Sequence, residues 1–207
     1  MRRLGTSLEA YYAWHARIYD ATRWSFLFGR EGLVRLAAEA LADRKRPRIV
    51  EVGCGTGRNL KALARAFPAA DIEGLDLCES MLCRARRAVG GQAARVRLRR
   101  AAYDPSSLPG ASVDCLVFSY ALSMFNPGYE AALDAARFHL RPGGIVAVVD
   151  FHATRHPWFR AWMGANHVRM DAQLAPALAA RFILEHACVR PAYGGLWRYG
   201  CWLGRLR

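Results

Sequence analysis

The chain has 207 residues, 53% hydrophobic and 11% aromatic, with 30 Lys and Arg against 17 Asp and Glu and a formal net charge of +13. This length and composition fit one globular domain with a full core and exclude a low-complexity or disordered chain. No apolar run approaches the ~18 residues of a membrane span, and residues 1–9 lack an apolar signal core, so the expectation is a cytoplasmic protein, free or peripheral at the inner face of the membrane.

Taken in chain order, residues 7–43 read as a helical region. It is dense in rings: Tyr11, Tyr12, Trp14, Tyr19, Trp24, Phe26 and Phe28. Placed ahead of a catalytic core, such a segment makes an N-terminal lid, and Tyr19 is the ring expected over the reacting centre. Packing of Trp14 and Phe26 into a core stands as the alternative for those two.

A strand near 48–52 follows and runs into Glu51-Val52-Gly53-Cys54-Gly55-Thr56-Gly57-Arg58-Asn59, which opens a helix near 57–67. Three alternate glycines permit turns closed to other residues and close approach to a ligand, and the helix start aims unpaired N–H groups at it. A dinucleotide loop reads G-x-G-x-x-G. Here Arg58 takes the sixth position and the pyrophosphate fingerprint fails. The next strand, near 71–75, ends at Asp76, 19 positions after Gly57. That is close to the ~20 of a ribose-binding carboxylate in a nucleotide-binding βαβ unit. An ordinary helix cap is the competing role for Asp76.

Further strands are expected near 95–99, 114–120, 144–151, 182–189 and 198–206, with helices near 79–89, 127–140 and 157–180. Pro142-Gly143-Gly144 reads as the stop of a helix before the fifth strand, and 191–195 as the connection of a terminal hairpin. Alternation of this kind predicts an α/β sheet with helices on both faces. A single domain is expected over 1–207, with a lid over 1–43, a cofactor-binding core over 44–152, and a helical insertion plus hairpin over 153–207.

Six cysteines, at 54, 78, 83, 115, 188 and 201, form no C-x-x-C pair and no Cys/His set at zinc spacing, so reduced thiols and no metal are expected. The charge predicts a polyanionic partner, nucleic acid or an anionic membrane surface. Basic runs stand at Arg44-Lys45-Arg46-x-Arg48, Arg84-x-Arg86-Arg87 and Arg95-x-Arg97-x-Arg99-Arg100. The segment His156-Pro157-Trp158-Phe159-Arg160-Ala161-Trp162 sets two Trp residues at i and i+4 among Arg and His, a composition suited to the headgroup layer of a bilayer. The competing reading is a helix that packs its rings on the end of the sheet.

An acid before a G-x-G-x-G loop, followed by an acid closing the second strand, resembles the class I S-adenosylmethionine-dependent methyltransferases. The resemblance implies a seven-stranded, mostly parallel Rossmann-like sheet and S-adenosyl-L-methionine as cofactor. It places Glu51, Gly53, Gly55, Gly57, Asn59, Asp76, Leu77, Met81, Ala102 and Ser119 on the cofactor side. An acid that accepts from the adenine is common after strand three, but Leu98-Arg99-Arg100-Ala101-Ala102 offers none, and Asp104 comes late. After strand four, Ser119-Tyr120-Ala121-Leu122 lacks the Pro-Pro-aromatic motif of enzymes that methylate planar nitrogens, so nucleic acid is not the expected substrate.

A closer resemblance lies in Ile18-Tyr19-Asp20-x-Thr22-Arg23, Phe28-Gly29-Arg30, Gly55-Thr56-Gly57-Arg58-Asn59, Ser119-Tyr120-Ala121-Leu122-Ser123-Met124 and Val149-Asp150-Phe151. Together these resemble the bacterial betaine-lipid methyltransferases, over about residues 12–152. That likeness implies three methyl transfers to the amine of diacylglyceryl-homoserine, with phosphatidylethanolamine, another small amine or RNA as alternative acceptors. Methyl transfer to a neutral amine needs positioning more than a nucleophile. Tyr19, Tyr120 and His152 are the expected catalytic residues, with Asp20 and Asp150 as further proton acceptors. Departures from the pattern are Cys78 where a helix-capping Ser is usual and His152 where Gly is commoner.

Overall fold

A computed structural model describes residues 27–207, apart from 93 and 126. Tyr19, Asp20 and the rest of the expected lid up to residue 26 lie outside the described residues. Seven strands form one sheet: β1 Arg48–Val52, β2 Asp71–Asp76, β3 Val96–Arg100, β4 Val113–Ser119, β5 Leu140–Ala153, β6 Ile183–Ala192 and β7 Trp197–Arg205. Their spatial order is β3-β2-β1-β4-β5-β7-β6. The first five are parallel, and β7 runs antiparallel between β5 and β6. The expected seven-stranded, mostly parallel sheet is therefore the one observed.

The helices are α1 Arg30–Ala40, α2 Arg58–Ala66, α3 Glu79–Val89, α4 Tyr129–His139, α5 Pro157–Ala165 and α6 Leu174–Ala179. β1 and β4 read as nearly unbroken apolar runs, Arg48-Ile-Val-Glu-Val52 and Val113-Asp-Cys-Leu-Val-Phe-Ser119, because helices cover them on both sides. One core holds Leu33, Ala37, Leu60 and Leu63 of α1 and α2 against Ile49, Val117 and Val149. The other holds Leu133 and Ala136 of α4 and Leu178 of α6 against Val50, Leu116 and Val148. Adjacent strand residues point to opposite cores, as the pleat requires.

Three expectations change. The helix expected over 157–180 is two helices, because the chain turns back after Gly164: the N–H groups of Asn166 and Val168 both return to the Met163 carbonyl, and His167 takes φ +61°. Pro142-Gly143-Gly144 does not precede β5 but forms a bulge inside it. Leu140 already pairs with Val113, and pairing resumes at Ile145 with Cys115. β6 runs through Pro191 to Ala192, so the hairpin connection is shorter than expected.

The basic runs also have structural work. Arg44 and Arg141 both meet the buried Asp114, Arg48 and Arg99 share Glu73, and Arg97 pairs with Asp71. These ion pairs tie β1, β2, β3 and the strands β4 and β5 together, so the first and third runs are partly engaged in holding the sheet. No helix among the described residues is long and apolar enough to cross a membrane.

Candidate active site

The site forms where β1 and β4, neighbours in the sheet, end and their connections leave in opposite directions, the point at which an open α/β sheet leaves a crevice. The loop from β1 to α2 is clamped to β2: the N–H groups of Gly53 and Cys54 both donate to the Leu75 carbonyl, at 2.8 and 2.9 Å. Asp76 then takes the Gly55 N–H on one oxygen and the Cys78 N–H on the other, at 2.8 and 2.9 Å. It both braces the loop and takes the N–H of Cys78, the residue before the first turn of α3, which makes no side-chain cap of its own.

The glycines divide their roles. A Cβ at Gly55 would meet no atom within 4 Å, so this position faces open space on the ligand side of the loop. Gly55 and Gly57 both take positive φ, +52° and +77°, but a Cβ at Gly57 would lie 2.9 Å from Cα and Cβ of Ala85. The lack of a side chain at Gly57 lets α2 pack against α3.

Glu51 is 2% exposed, although it carries a carboxylate. Its Oε1 accepts from Asn59 Nδ2 at 3.0 Å, and its Oε2 is buried with no partner among the described residues. Burial raises its pKa to about 8, against the pull of Arg30 and the Asn59 bond. Asn59 is itself buried and acts by orienting Glu51.

Arg30 was not among the expected site residues, yet among the described residues it is the cation whose charge acts on this acid. It opens α1 directly after Gly29, whose φ is +80° and whose Cβ would stand 2.6 Å from the Tyr199 ring. That close approach brings Arg30 Nε to Ser119 Oγ at the end of β4, at 3.1 Å. Desolvation lowers the Arg30 pKa and the Glu51 charge opposes that shift. The available signal was the Phe28-Gly29-Arg30 segment, but its role depends on how far α1 reaches across the sheet.

Leu77 is 57% exposed at the end of β2, Met81 is buried in the first turn of α3, and Ala102 is exposed after β3. Asp104 lies four residues past the end of β3, where its Oδ1 accepts the Ser106 N–H and hydroxyl. The Ala101 N–H is likewise held, by the Asp76 carbonyl at 3.2 Å.

Of the expected catalytic residues, Tyr120 and His152 are the two among the described residues, and they do not share a face of the sheet. Tyr120 is 2% exposed and its hydroxyl donates to the Phe28 carbonyl at 2.9 Å. The ring packs edge-on against Phe151 and burial pushes the phenol pKa up, so Tyr120 anchors the segment before α1 and is not a free acid or base. Its φ of +56°, unusual for a non-glycine residue, turns the chain from β4 into the 3-10 turn Leu122–Met124. Asp150 is buried on the opposite face, with its oxygens taken by the N–H groups of Ser123 and Phe151. His152 lies on that same face beside Trp202, with a buried Nδ1 that has no partner among the described residues. Burial and Arg198 lower its pKa and keep it neutral near pH 7. The structure thus separates His152 from the Glu51, Arg30 and Ser119 side of the sheet.

Residues 49–144 match the family profile described as a methyltransferase domain. The chain is 32% identical over 160 residues to the trans-aconitate 2-methyltransferase of Deinococcus radiodurans, covering 77% of this chain and 52% of that protein. It spans about half the length of that relative. In fold it resembles the 1,6-didemethyltoxoflavin-N1-methyltransferase of Burkholderia thailandensis with bound S-adenosylhomocysteine, at a TM-score of 0.67 and 19% identity over 98% of this chain and 88% of that one. The N-methyltransferase NodS of Bradyrhizobium japonicum, also with S-adenosylhomocysteine, gives a TM-score of 0.67 and 17% identity over 86% of this chain and 87% of that one.

Both of those structures hold S-adenosylhomocysteine, the spent form of S-adenosylmethionine. The residues present fit it. An orphaned buried carboxylate oxygen on Glu51 stands near a cation, the loop is open at Gly55, and Asp76 closes β2 beside that loop. Glu51 and Arg30 would take the amine and carboxylate of its methionine end, and Asp76 the ribose hydroxyls.

Proposed function

Starting from a class I S-adenosylmethionine-dependent methyltransferase domain, we propose that the protein methylates the amine of a lipid headgroup, with diacylglyceryl-homoserine as acceptor and its trimethylated betaine as product. The observation that carries this reading is the rim around the crevice. Trp158 and Trp162 are 63% and 52% exposed on α5, which begins just past the carboxyl end of β5. Phe159 and Met163, one position on from each, fill the buried side of the same helix. Tyr193, between β6 and β7, and Phe28, before α1, are exposed at this rim and touch edge to face. Arg155, Arg160 and Arg198 are exposed there too. Rings and guanidinium groups side by side suit an anionic headgroup layer, and a soluble acceptor needs no such collar.

The cofactor supplies an electrophilic methyl group on a sulfonium. Glu51 and Arg30 hold its methionine end, and Asn59 and Ser119 fix these two side chains in turn. Asp76 sets the loop and α3 in register with each other. The acceptor amine enters at the rim as the neutral base and loses its next proton to solvent. Acceleration then comes from holding donor and acceptor at attack distance, with no covalent nucleophile from the chain.

A second reading has one specific support, the relative named for trans-aconitate. In that reading Arg155, Arg160 and Arg198 would hold the carboxylates of a small acid. The test is lipid extraction from a host that makes diacylglyceryl-homoserine, with and without this chain, in parallel with trans-aconitate and S-adenosylmethionine in vitro. Mass-resolved trimethyl headgroups support the lipid reading. A methyl ester of trans-aconitate with unchanged lipids would replace it.

A further inference from the structure

The proposed chemistry leaves one set of side chains on the terminal hairpin without a role. Among the described residues, His186, Cys188 and Cys201 bring an imidazole nitrogen and two thiol sulfurs within 4.8 Å of one another. Cys188 pairs directly with Cys201 in the β6–β7 ladder, so the two side chains leave the same face. His186 stands two residues before Cys188 and projects beside it. A bulge between Leu184 and His186 decides which face this is. Leu184 packs toward the Trp202 core, while Cys188 packs toward the core that contains Cys201. In the sequence the set is an H-x-C on one strand and a single Cys on the next, which matches no zinc spacing.

We propose that His186, Cys188 and Cys201 form a Zn2+ site that fastens the edge strand β6 to β7. Two thiolates and one imidazole are donors of the type zinc selects, and three protein ligands leave the fourth tetrahedral position to water. In a tetrahedral site with Zn–S near 2.3 Å and Zn–N near 2.0 Å, donor atoms stand roughly 3.5–3.8 Å apart. The trio closes to that spacing by side-chain rotation, and His186 and Cys188 are only half-buried. Each thiol gives its proton to solvent as the ion binds, and the two thiolates balance the 2+ charge. β6 gains most from such a tie, because among the described residues it lies at the edge of the sheet with a ladder partner on one side only.

The test uses the full chain, metal-stripped and held reduced with a phosphine. Zn2+ is titrated against a chromophoric chelator, and Co2+ is used in parallel to read thiolate-to-metal charge transfer in the near ultraviolet. The expected result is one ion per chain, release of about two protons, and a higher melting temperature with Zn2+. His186→Gln and Cys188→Ser should each weaken Zn2+ binding on the order of a hundredfold or more. Cys83→Ser, at an exposed cysteine away from the hairpin, should leave it unchanged. S-adenosylmethionine binding measured on the same samples shows that each variant is folded, and it separates failure here from failure of the methyltransferase reading. The proposal is overturned by a Co2+ signal that survives both hairpin substitutions, or by the lack of stoichiometric uptake in reduced protein. A Cys188–Cys201 disulfide in protein purified without reductant, with no effect of Zn2+ on melting after reduction, also overturns it.

Discussion

Glu51→Gln should stabilise the ligand-free protein at alkaline pH while weakening its hold on S-adenosylmethionine. The carboxylate is almost fully buried, and burial raises its pKa from 4.5 to about 8. A carboxyl whose pKa is raised on folding favours the folded state while it is protonated. Folding stability therefore falls as pH rises from the unfolded value near 4.5 to about 8, then levels off. At ~1.4 kcal/mol per pKa unit the full penalty is on the order of 3–5 kcal/mol. Gln keeps the oxygen that Asn59 Nδ2 donates to and removes the charge. In ligand-free protein the substitution should raise the melting temperature at pH 8.5 by on the order of 10 °C and change it little at pH 5. The cofactor's ammonium would favour the ionised acid, so binding near pH 7 should release a proton in the wild type and none in the variant. Scanning calorimetry at both pH values and titration calorimetry in buffers of different ionisation enthalpy read these effects. An equal or lower melting temperature at pH 8.5, together with unchanged affinity and proton release, would refute the assignment of Glu51 to the cofactor's amine.

Asp76→Ala removes the acceptor for the Gly55 and Cys78 N–H groups, each charge-assisted bond contributing ~1.5–3 kcal/mol; cofactor affinity should drop at least tenfold by titration calorimetry. Gly57→Ala forces a left-handed backbone and a clash with Ala85, so urea unfolding should show a loss of about 1–3 kcal/mol, a packing effect that appears without any ligand. Tyr120→Phe loses only the bond to the Phe28 carbonyl; stability should fall by about 1–2 kcal/mol while turnover per folded molecule stays near wild type, and a hundredfold loss of turnover would return this phenol to the catalytic set. Trp158→Ala with Trp162→Ala should leave the melting temperature almost unchanged, since both rings are exposed, but should reduce flotation with anionic vesicles.

The sheet and the cofactor loop were legible in the sequence because both depend on local pattern. Continuous apolar runs predict strands buried on both faces, and three alternate glycines between a strand and a helix predict a ligand loop whatever surrounds them. The position of Asp76 at the end of β2 was legible for the same reason, at a fixed distance along one βαβ unit. What local pattern cannot carry is which side chains from distant elements share a face. Arg30 reaches Ser119 across 89 positions of chain because Gly29 lies close against Tyr199. Tyr120 looked available for chemistry until the segment before α1 supplied a carbonyl to its hydroxyl. His152 and Glu51 both sit near strand ends, and the register from β1 through β4 to β5, with the pleat, sends them to opposite sides. His186, Cys188 and Cys201 converge only through a cross-strand register and a bulge, and neither leaves a spacing in the sequence. Strand and loop identity follow from a few neighbouring residues, whereas a site is a set of distances that only packing between distant elements determines.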